Sequence, residues 1–277
     1  MDKKTNEPGL KCYHEVPAFL QYNRHVLTGY RVSYRHANFP VPIDDLLGAL
    51  IFIALFHPTI RYLHEPTATD IVLFGIYFAC AVTTMICSAV FHLFNCTSPG
   101  AYKRLATLDY SGISLLIVGS YLPLVYWGFH CVPWWRDVYM TTISAFGVIG
   151  LALSWIPYFS QPHTRFLRTS FYLFFGWFSL IPVGHLVYMD GSFWFVWRIG
   201  RFVLLMGVIY SVAAAIYVSQ IPERWAPGMF DYSCQSHVIW HVLVFLAALV
   251  QVGALMYCHG VIPEHSCPAG YGDLPTA

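Results

Sequence analysis

The chain has 277 residues, 57% hydrophobic and only 10% charged, with a formal net charge of +1. A water-soluble domain carries about 25% charged residues, so this chain cannot coat a surface facing water and reads as an integral membrane protein. The near-zero net charge also argues against nucleic-acid binding, which needs a basic field.

The N-terminal stretch is polar and basic, and no charged start leads into an apolar run, so no cleaved signal peptide is expected. From Glu15 to Phe39, Phe19, Leu20, Tyr22, Tyr30 and Tyr34 mix with Arg24, Arg31 and Arg35. That composition suits a segment lying among lipid headgroups. Seven apolar runs follow. Helices are predicted near Ile43–Leu63, Ile71–Phe94, Leu105–Phe129, Val138–Phe159, Phe166–Tyr188, Ile199–Ile221 and Ser236–Cys258. Each has the ~20 residues needed to cross a hydrocarbon core of about 30 Å. The first is the weakest, because Asp44, Asp45 and His57-Pro58 interrupt it. Glu65-Pro66, Ser98-Pro99-Gly100, Gln161-Pro162, Asp190-Gly191 and Pro227-Gly228 break the connections. The expected fold is an all-α seven-transmembrane-helix bundle, with residues 1–42 as N-terminal segment, 43–258 as bundle and 259–277 as tail.

Inside the runs, Pro123 and Pro182 are predicted to kink their helices. Gly112, Gly119, Gly147, Gly150 and Gly207 permit close helix contacts. Cys131, Cys258 and Cys267 fall at one end of the bundle, where one disulfide could form with an unspecified pairing.

Several chemistries are excluded. Lys3, Lys4, Lys11 and Lys103 all lie outside the apolar runs, so a buried Schiff base is ruled out. The sequence has no C-x-x-C pair, glycine-rich phosphate loop or G-x-S-x-G. Ionisable groups inside membrane helices are expensive and usually functional. His92 near the end of helix two, Asp109 near the start of helix three, and His237 and His241 at the start of helix seven all reach one leaflet. His237 and His241 are four residues apart and share a helix face, a spacing that lets two imidazoles hold one metal ion. His92 supplies a third nitrogen, completing the three-imidazole arrangement of catalytic zinc sites. Asp109 could hold a metal-bound water and accept its proton, and Ser88, one turn from His92, suits a supporting or substrate hydrogen bond. The competing view of each histidine is a hydrogen-bonded structural residue. That view fits His57, His64, His130 and His185, which lie elsewhere.

The order of these residues is familiar. Ser88-x-x-x-His92 closes helix two and Leu108-Asp109-Tyr110-Ser111-Gly112 opens helix three. Ile221-Pro222-Glu223-Arg224 and Pro227-Gly228-x-Phe230-Asp231 lead into Gln235-Ser236-His237-x-x-x-His241. With Leu27-Thr28-Gly29-Tyr30-Arg31, this pattern closely resembles the progestin and adipoQ receptor family, which includes the adiponectin receptors and is related to hemolysin III-like proteins. The resemblance spans roughly residues 20–258. It implies a seven-helix fold with cytoplasmic N-terminus and Zn2+ on His92, His237 and His241, with Asp109 contacting it through water. It also implies slow amidase action on ceramide, giving sphingosine and fatty acid, alongside hormone reception. One departure stands out. Where the family has a Trp-Ser/Thr-His element, helix one starts Pro42-Ile43-Asp44-Asp45-Leu46-Leu47. This bears on partner contacts and positioning by helix one and is expected to leave the metal ligands untouched.

The expected function is a zinc-dependent lipid-amide hydrolase, ceramidase-like, with Asp109 as general base and Ser88 supporting the oxyanion. The membrane lipid, ceramide or fatty acid, occupies the bundle. The alternative is a receptor for an extracellular protein or steroid ligand, with structural zinc and no turnover. The membrane is the plasma membrane, Golgi or endoplasmic reticulum. An ion or proton pathway fits poorly, because the titratable groups cluster at one leaflet.

Lys and Arg set orientation. With the N-terminus cytoplasmic, eleven fall inside and four outside. The Asn95-Cys96-Thr97 sequon then faces the cytoplasm. Wild-type protein from mammalian cells should carry no glycan at Asn95, and an N-terminal tag should resist protease added to intact cells. A glycosylated Asn95 would reverse the topology.

Overall fold

A computed structural model describes residues 10–32, 40–159, 161–190, 193–261 and 267. Two short strands, β1 (Leu10–Lys11) and β2 (Tyr30–Arg31), precede eight helices. These are α1 (Pro40–Tyr62), α2 (Ala68–Phe94), α3 (Pro99–Gly128), α4 (Pro133–Ser154), α5 (Arg165–Trp177), α6 (Leu180–Asp190), α7 (Phe193–Ser219) and α8 (Ser236–Val261). Among the described residues, seven segments are long and apolar enough to cross a membrane, with α5 and α6 together forming the fifth. The protein is a multi-pass membrane protein, and its outward Leu46, Leu47, Leu50 and Ile53 on α1 are solvated by lipid rather than buried in protein.

Local chemistry sets the helix starts. Thr67 Oγ1 accepts from Asp70 N and Asp70 Oδ2 accepts from Thr67 N, a reciprocal cap that begins α2. Ser98 Oγ accepts from Ala101 N, and Pro99 fits the first helical position, where its missing N–H is no loss. α3 therefore starts six residues before the Leu105 expected from apolar periodicity. Pro133 likewise starts α4 ahead of Val138. Of the two prolines expected to kink their helices, Pro182 breaks its span: it has no N–H to donate to the Phe178 carbonyl, and Phe178–Ser179 separates α5 from α6. α3 continues through Pro123.

α8 closes the bundle by packing on both α7 and α1, while α3 runs inside, against α2, α4, α5 and α8. Phe52, Phe74, Tyr77 and Leu255 form the core between α1, α2 and α8, and Phe129, Ile143 and Phe175 the core around α3 to α5. The disulfide joins Cys131 to Cys267, leaving Cys258 a buried free thiol.

Residues 10–32 of the N-terminal segment are folded. They fold into a lobe in which Val16, Leu20, Val26 and Tyr30 bury around Cys96, and β1 pairs antiparallel with β2. Tyr34 and Arg35 of that expected segment, and nearly all of the 259–277 tail, lie outside the described residues. The lobe is latched to the α7–α8 connection. Asp231 accepts from Leu27 N at 3.0 Å, Thr28 N at 2.8 Å and Thr28 Oγ1 at 2.6 Å. The turn needs Gly29, whose φ of +83° strains any residue with a Cβ.

α2 and α3 pack closely enough that a Cβ on Gly119 would lie 2.8 Å from Cys80 Cβ. Gly119→Val should therefore destabilise the bundle by about 1–3 kcal/mol through overpacking. The loss would appear as a lower melting temperature in detergent, and unchanged melting would refute this contact.

Candidate metal centre

His92 stands in the last turn of α2, and His237 and His241 in the first turns of α8. The start of α8 is set by Glu223, fully buried, whose carboxylate accepts from Ser236 N at 2.7 Å and from the Ser236 hydroxyl. An anion here satisfies donors that a helix start leaves unpaired. The same carboxylate takes Asn23 Nδ2 at 2.9 Å, so the lobe helps fix the register of the two histidines. Arg31 donates to the carbonyls of His92 and Leu93, answering the open end of α2 beside its histidine.

The three imidazoles converge. His92 Nε2 lies 3.1 Å from His237 Nε2, which lies 3.2 Å from His241 Nε2. All three nitrogens fall within 4.8 Å of one another. A tetrahedral ion with metal–nitrogen bonds of about 2.0–2.1 Å needs nitrogens about 3.3 Å apart. The donor set fits such an ion. His241 Nδ1 lies 3.0 Å from Asp45 Oδ1, and that carboxylate takes the Nδ1 proton. The Nε2 lone pair of His241 is then turned toward the other two imidazoles, as in a carboxylate–histidine–metal relay.

Asp45 is the residue that sequence reasoning missed. The unusual start of helix one was expected to leave the metal ligands untouched, and the structure overturns this. Asp45 is 3% exposed, and its second oxygen accepts from Ser88 Oγ at 2.7 Å. The signal was present, since an aspartate in a membrane helix needs a partner, but it was read as an interruption of the helix. Ser88 sits beside this carboxylate. Its hydroxyl proton goes to Asp45, and Ser88 and Asp109 line the same cavity. Ser88 thus joins α2 to the Asp45 carboxylate of α1.

Asp45, Ser88, Asp109, His237 and His241 form the polar end of a cavity of about 180 Å³. Its remaining walls are mainly apolar and aromatic, including Leu116, Leu124, Val203, Met206 and Trp240. The other histidines stay apart. His185 Nδ1 meets Tyr139 OH at 2.9 Å, and His130 Nδ1 meets the Trp127 carbonyl at 2.9 Å. His259, at the far end of α8, lies 3.4 Å from Asp70, which also accepts from Trp127 Nε1 at 2.8 Å.

Comparison with known proteins bears on the family. Residues 45–252 match the haemolysin-III-related family model, a span that includes Asp45 and all three histidines. The chain belongs to this family, with the progestin and adipoQ receptors. It is 32% identical to the progestin and adipoQ receptor family member 3 of Mus musculus, over 84% of this chain and 81% of the relative. It is 32% identical to the adiponectin receptor protein of Drosophila melanogaster over 86% of this chain, and spans 57% of that relative's length. A progestin and adipoQ receptor-like protein of Caenorhabditis elegans is 35% identical over 89% of this chain and 61% of its own.

Replacing His92, His237 or His241 by Ala should sharply lower the metal content of purified protein. Asp45→Ala leaves the ligands but removes the group that orients His241, and should weaken metal affinity about 10–100-fold. Chelator competition followed by elemental analysis measures both, and full metal retention in all four variants would eliminate the site.

Proposed function

We propose that the chain is a zinc-dependent intramembrane hydrolase of a lipid amide of the ceramide type. The observation that carries this reading is a three-imidazole cluster, oriented by a buried carboxylate, at the polar end of an apolar cavity inside a membrane bundle. His92, His237 and His241 hold the ion through Nε2, and Asp45 keeps His241 in the required tautomer. Zinc held there would supply Lewis-acid polarisation of an acyl oxygen and a bound water with a pKa of about 7. Asp109 accepts the proton of the attacking water, and Ser88 holds the Asp45 carboxylate in place. The apolar walls take the acyl chain and exclude bulk water, which strengthens every charge interaction at the polar end.

The N-terminus and the histidine cluster belong to the cytoplasmic leaflet in this reading. The Lys and Arg distribution supports that placement. So does the Cys131–Cys267 disulfide at the opposite end of the bundle, since disulfides persist on the oxidising side of membranes. The names of the relatives favour a second reading, in which the zinc only ties α2 to α8 and the protein serves as a receptor without turnover.

One substitution separates the two. Asp109→Asn should keep zinc, because three imidazoles remain, yet lower ceramide hydrolysis about 10²–10⁴-fold, the usual worth of a general base. Wild-type turnover by a zinc-loaded Asp109→Asn variant would remove Asp109 from the chemistry. A zinc-loaded wild type inert toward lipid amides would leave the receptor reading in place.

A further inference from the structure

At the end of the bundle opposite the histidines, two arginines of α7 converge on one tyrosine of α8. Arg198 and Arg201 lie in the first turns of the span that begins at Val196, and Tyr257 lies in the last turns of α8, which ends at Val261. α7 has 27 residues, so at 1.5 Å per residue it is about 40 Å long. A hydrocarbon core of about 30 Å then leaves about 5 Å of the helix outside at each end. Arg198 and Arg201, about 8 and 12 Å from the helix start, sit just inside the hydrocarbon boundary. A cation at that depth is costly, and a long side chain ordinarily escapes by reaching up to water.

Here both are held against α8 instead. Arg198 Nε donates to the Tyr257 hydroxyl at 2.9 Å, and Arg201 Cζ lies 5.0 Å from the centre of the Tyr257 ring. Both arginines are exposed on the outside of the bundle. Among the described residues neither forms an ion pair, whereas Arg136 at the same end is paired with Asp137 at 2.8 Å. The Tyr257 hydroxyl accepts from Arg198, which leaves its own proton to donate, and no described residue takes it. The terminal nitrogens of Arg198, the guanidinium of Arg201 and the Tyr257 O–H are thus three sets of donors around one place, with no acceptor. The rest of this face suits a lipid. Trp194 and Trp197, 75% and 41% exposed, stand one turn above Arg198 and Arg201 at four-residue spacing, and tryptophan settles at headgroup level. Leu205 and Val208, four and seven residues below Arg201, continue the face into the membrane and are exposed. None of these residues lines the cavity that ends at the histidines.

We infer that Arg198, Arg201 and Tyr257 bind the phosphate of an anionic phospholipid on the outer surface of the bundle, in the leaflet opposite the histidine cluster. Phosphate is the anion that a bilayer offers at this depth, and the planar guanidinium matches its oxygens. The Tyr257 proton completes the set, and an acyl chain of the same lipid lies along Leu205 and Val208. The occupant joins α7 to α8 at the end where α8 leaves the membrane. The site is separate from the proposed hydrolase chemistry and stands whether or not that chemistry takes place. Dissolved phosphate would meet the same donors but gain nothing from the apolar face below them, and the test distinguishes the two.

The test uses full-length protein in neutral detergent and counts bound lipid by native mass spectrometry as dioctanoyl phosphatidic acid, dioctanoylglycerol or inorganic phosphate is added. Each arginine beside an anionic headgroup is worth about fivefold in affinity, so wild type should prefer phosphatidic acid to the uncharged diacylglycerol by about 25-fold. The double variant Arg198→Gln, Arg201→Gln should lose most of that preference, while Arg198→Lys with Arg201→Lys, which keeps the charges, should retain part of it. Tyr257→Phe keeps the ring under Arg201 but removes a donor, and should weaken phosphatidic acid about fivefold with diacylglycerol unchanged. Wild type with equal affinity for the two lipids overturns the site. So does a folded glutamine double variant with undiminished preference. Phosphate that displaces phosphatidic acid at equal concentration overturns the lipid as occupant. Should the glutamine double variant fail to fold, Tyr257→Phe decides: unaltered phosphatidic acid binding by that variant overturns the proposed donor set.

Discussion

A carboxylate buried in a membrane helix must be met by donors from other helices, and Asp45 is met twice. Its oxygens hold Ser88 of α2 and His241 of α8, so one side chain of α1 ties together the helices that carry the histidines. This arrangement explains how three imidazoles that are mutually repulsive when protonated come to lie edge to edge. The proton of His241 is drawn to its Asp45 side, leaving its lone pair toward the cluster. With few waters to compete, such a network is strong when complete and costly when broken.

Two further buried carboxylates do similar work outside the bundle. Glu223 starts α8 and holds Asn23, and Asp231 gathers three donors of the lobe. The motif residues flanking helix seven are thus structural, joining N-terminal lobe and histidine helix into one unit. Because the lobe also answers the carbonyl of His92 through Arg31, it is tied to both helices that carry the histidines. The lobe further contributes Tyr22 to a second, smaller chamber beside the histidines, which Arg165 and Arg168 also line, so the same fold that fixes the metal ligands also shapes the approach to them.

The two chambers differ in what surrounds their charges. On the α1 side the carboxyl groups Asp45 and Asp109 flank the histidines. Arg165 lines the smaller chamber on the lobe side, and Arg168 lines both.

Hydropathy alone determined the class, the seven spans and most of their limits, because a 30 Å slab of hydrocarbon imposes a length and composition that any sequence must display. The histidines and Asp109 were also legible, since helix periodicity and alternation of helix ends place them at one leaflet before any packing is known. Helix starts at Pro99 and Pro133 were misplaced, because caps are set by a few polar atoms rather than by apolar periodicity. Only the tertiary structure decided the roles of Asp45 and Ser88, the pairing of Cys131 with Cys267, and the folding of the lobe over the histidines. Each depends on which distant segments meet: Asp45 is 196 residues from His241, and Thr28 is 203 from Asp231. Local sequence carries no record of such a meeting, because the partner that satisfies a buried polar group is chosen by packing.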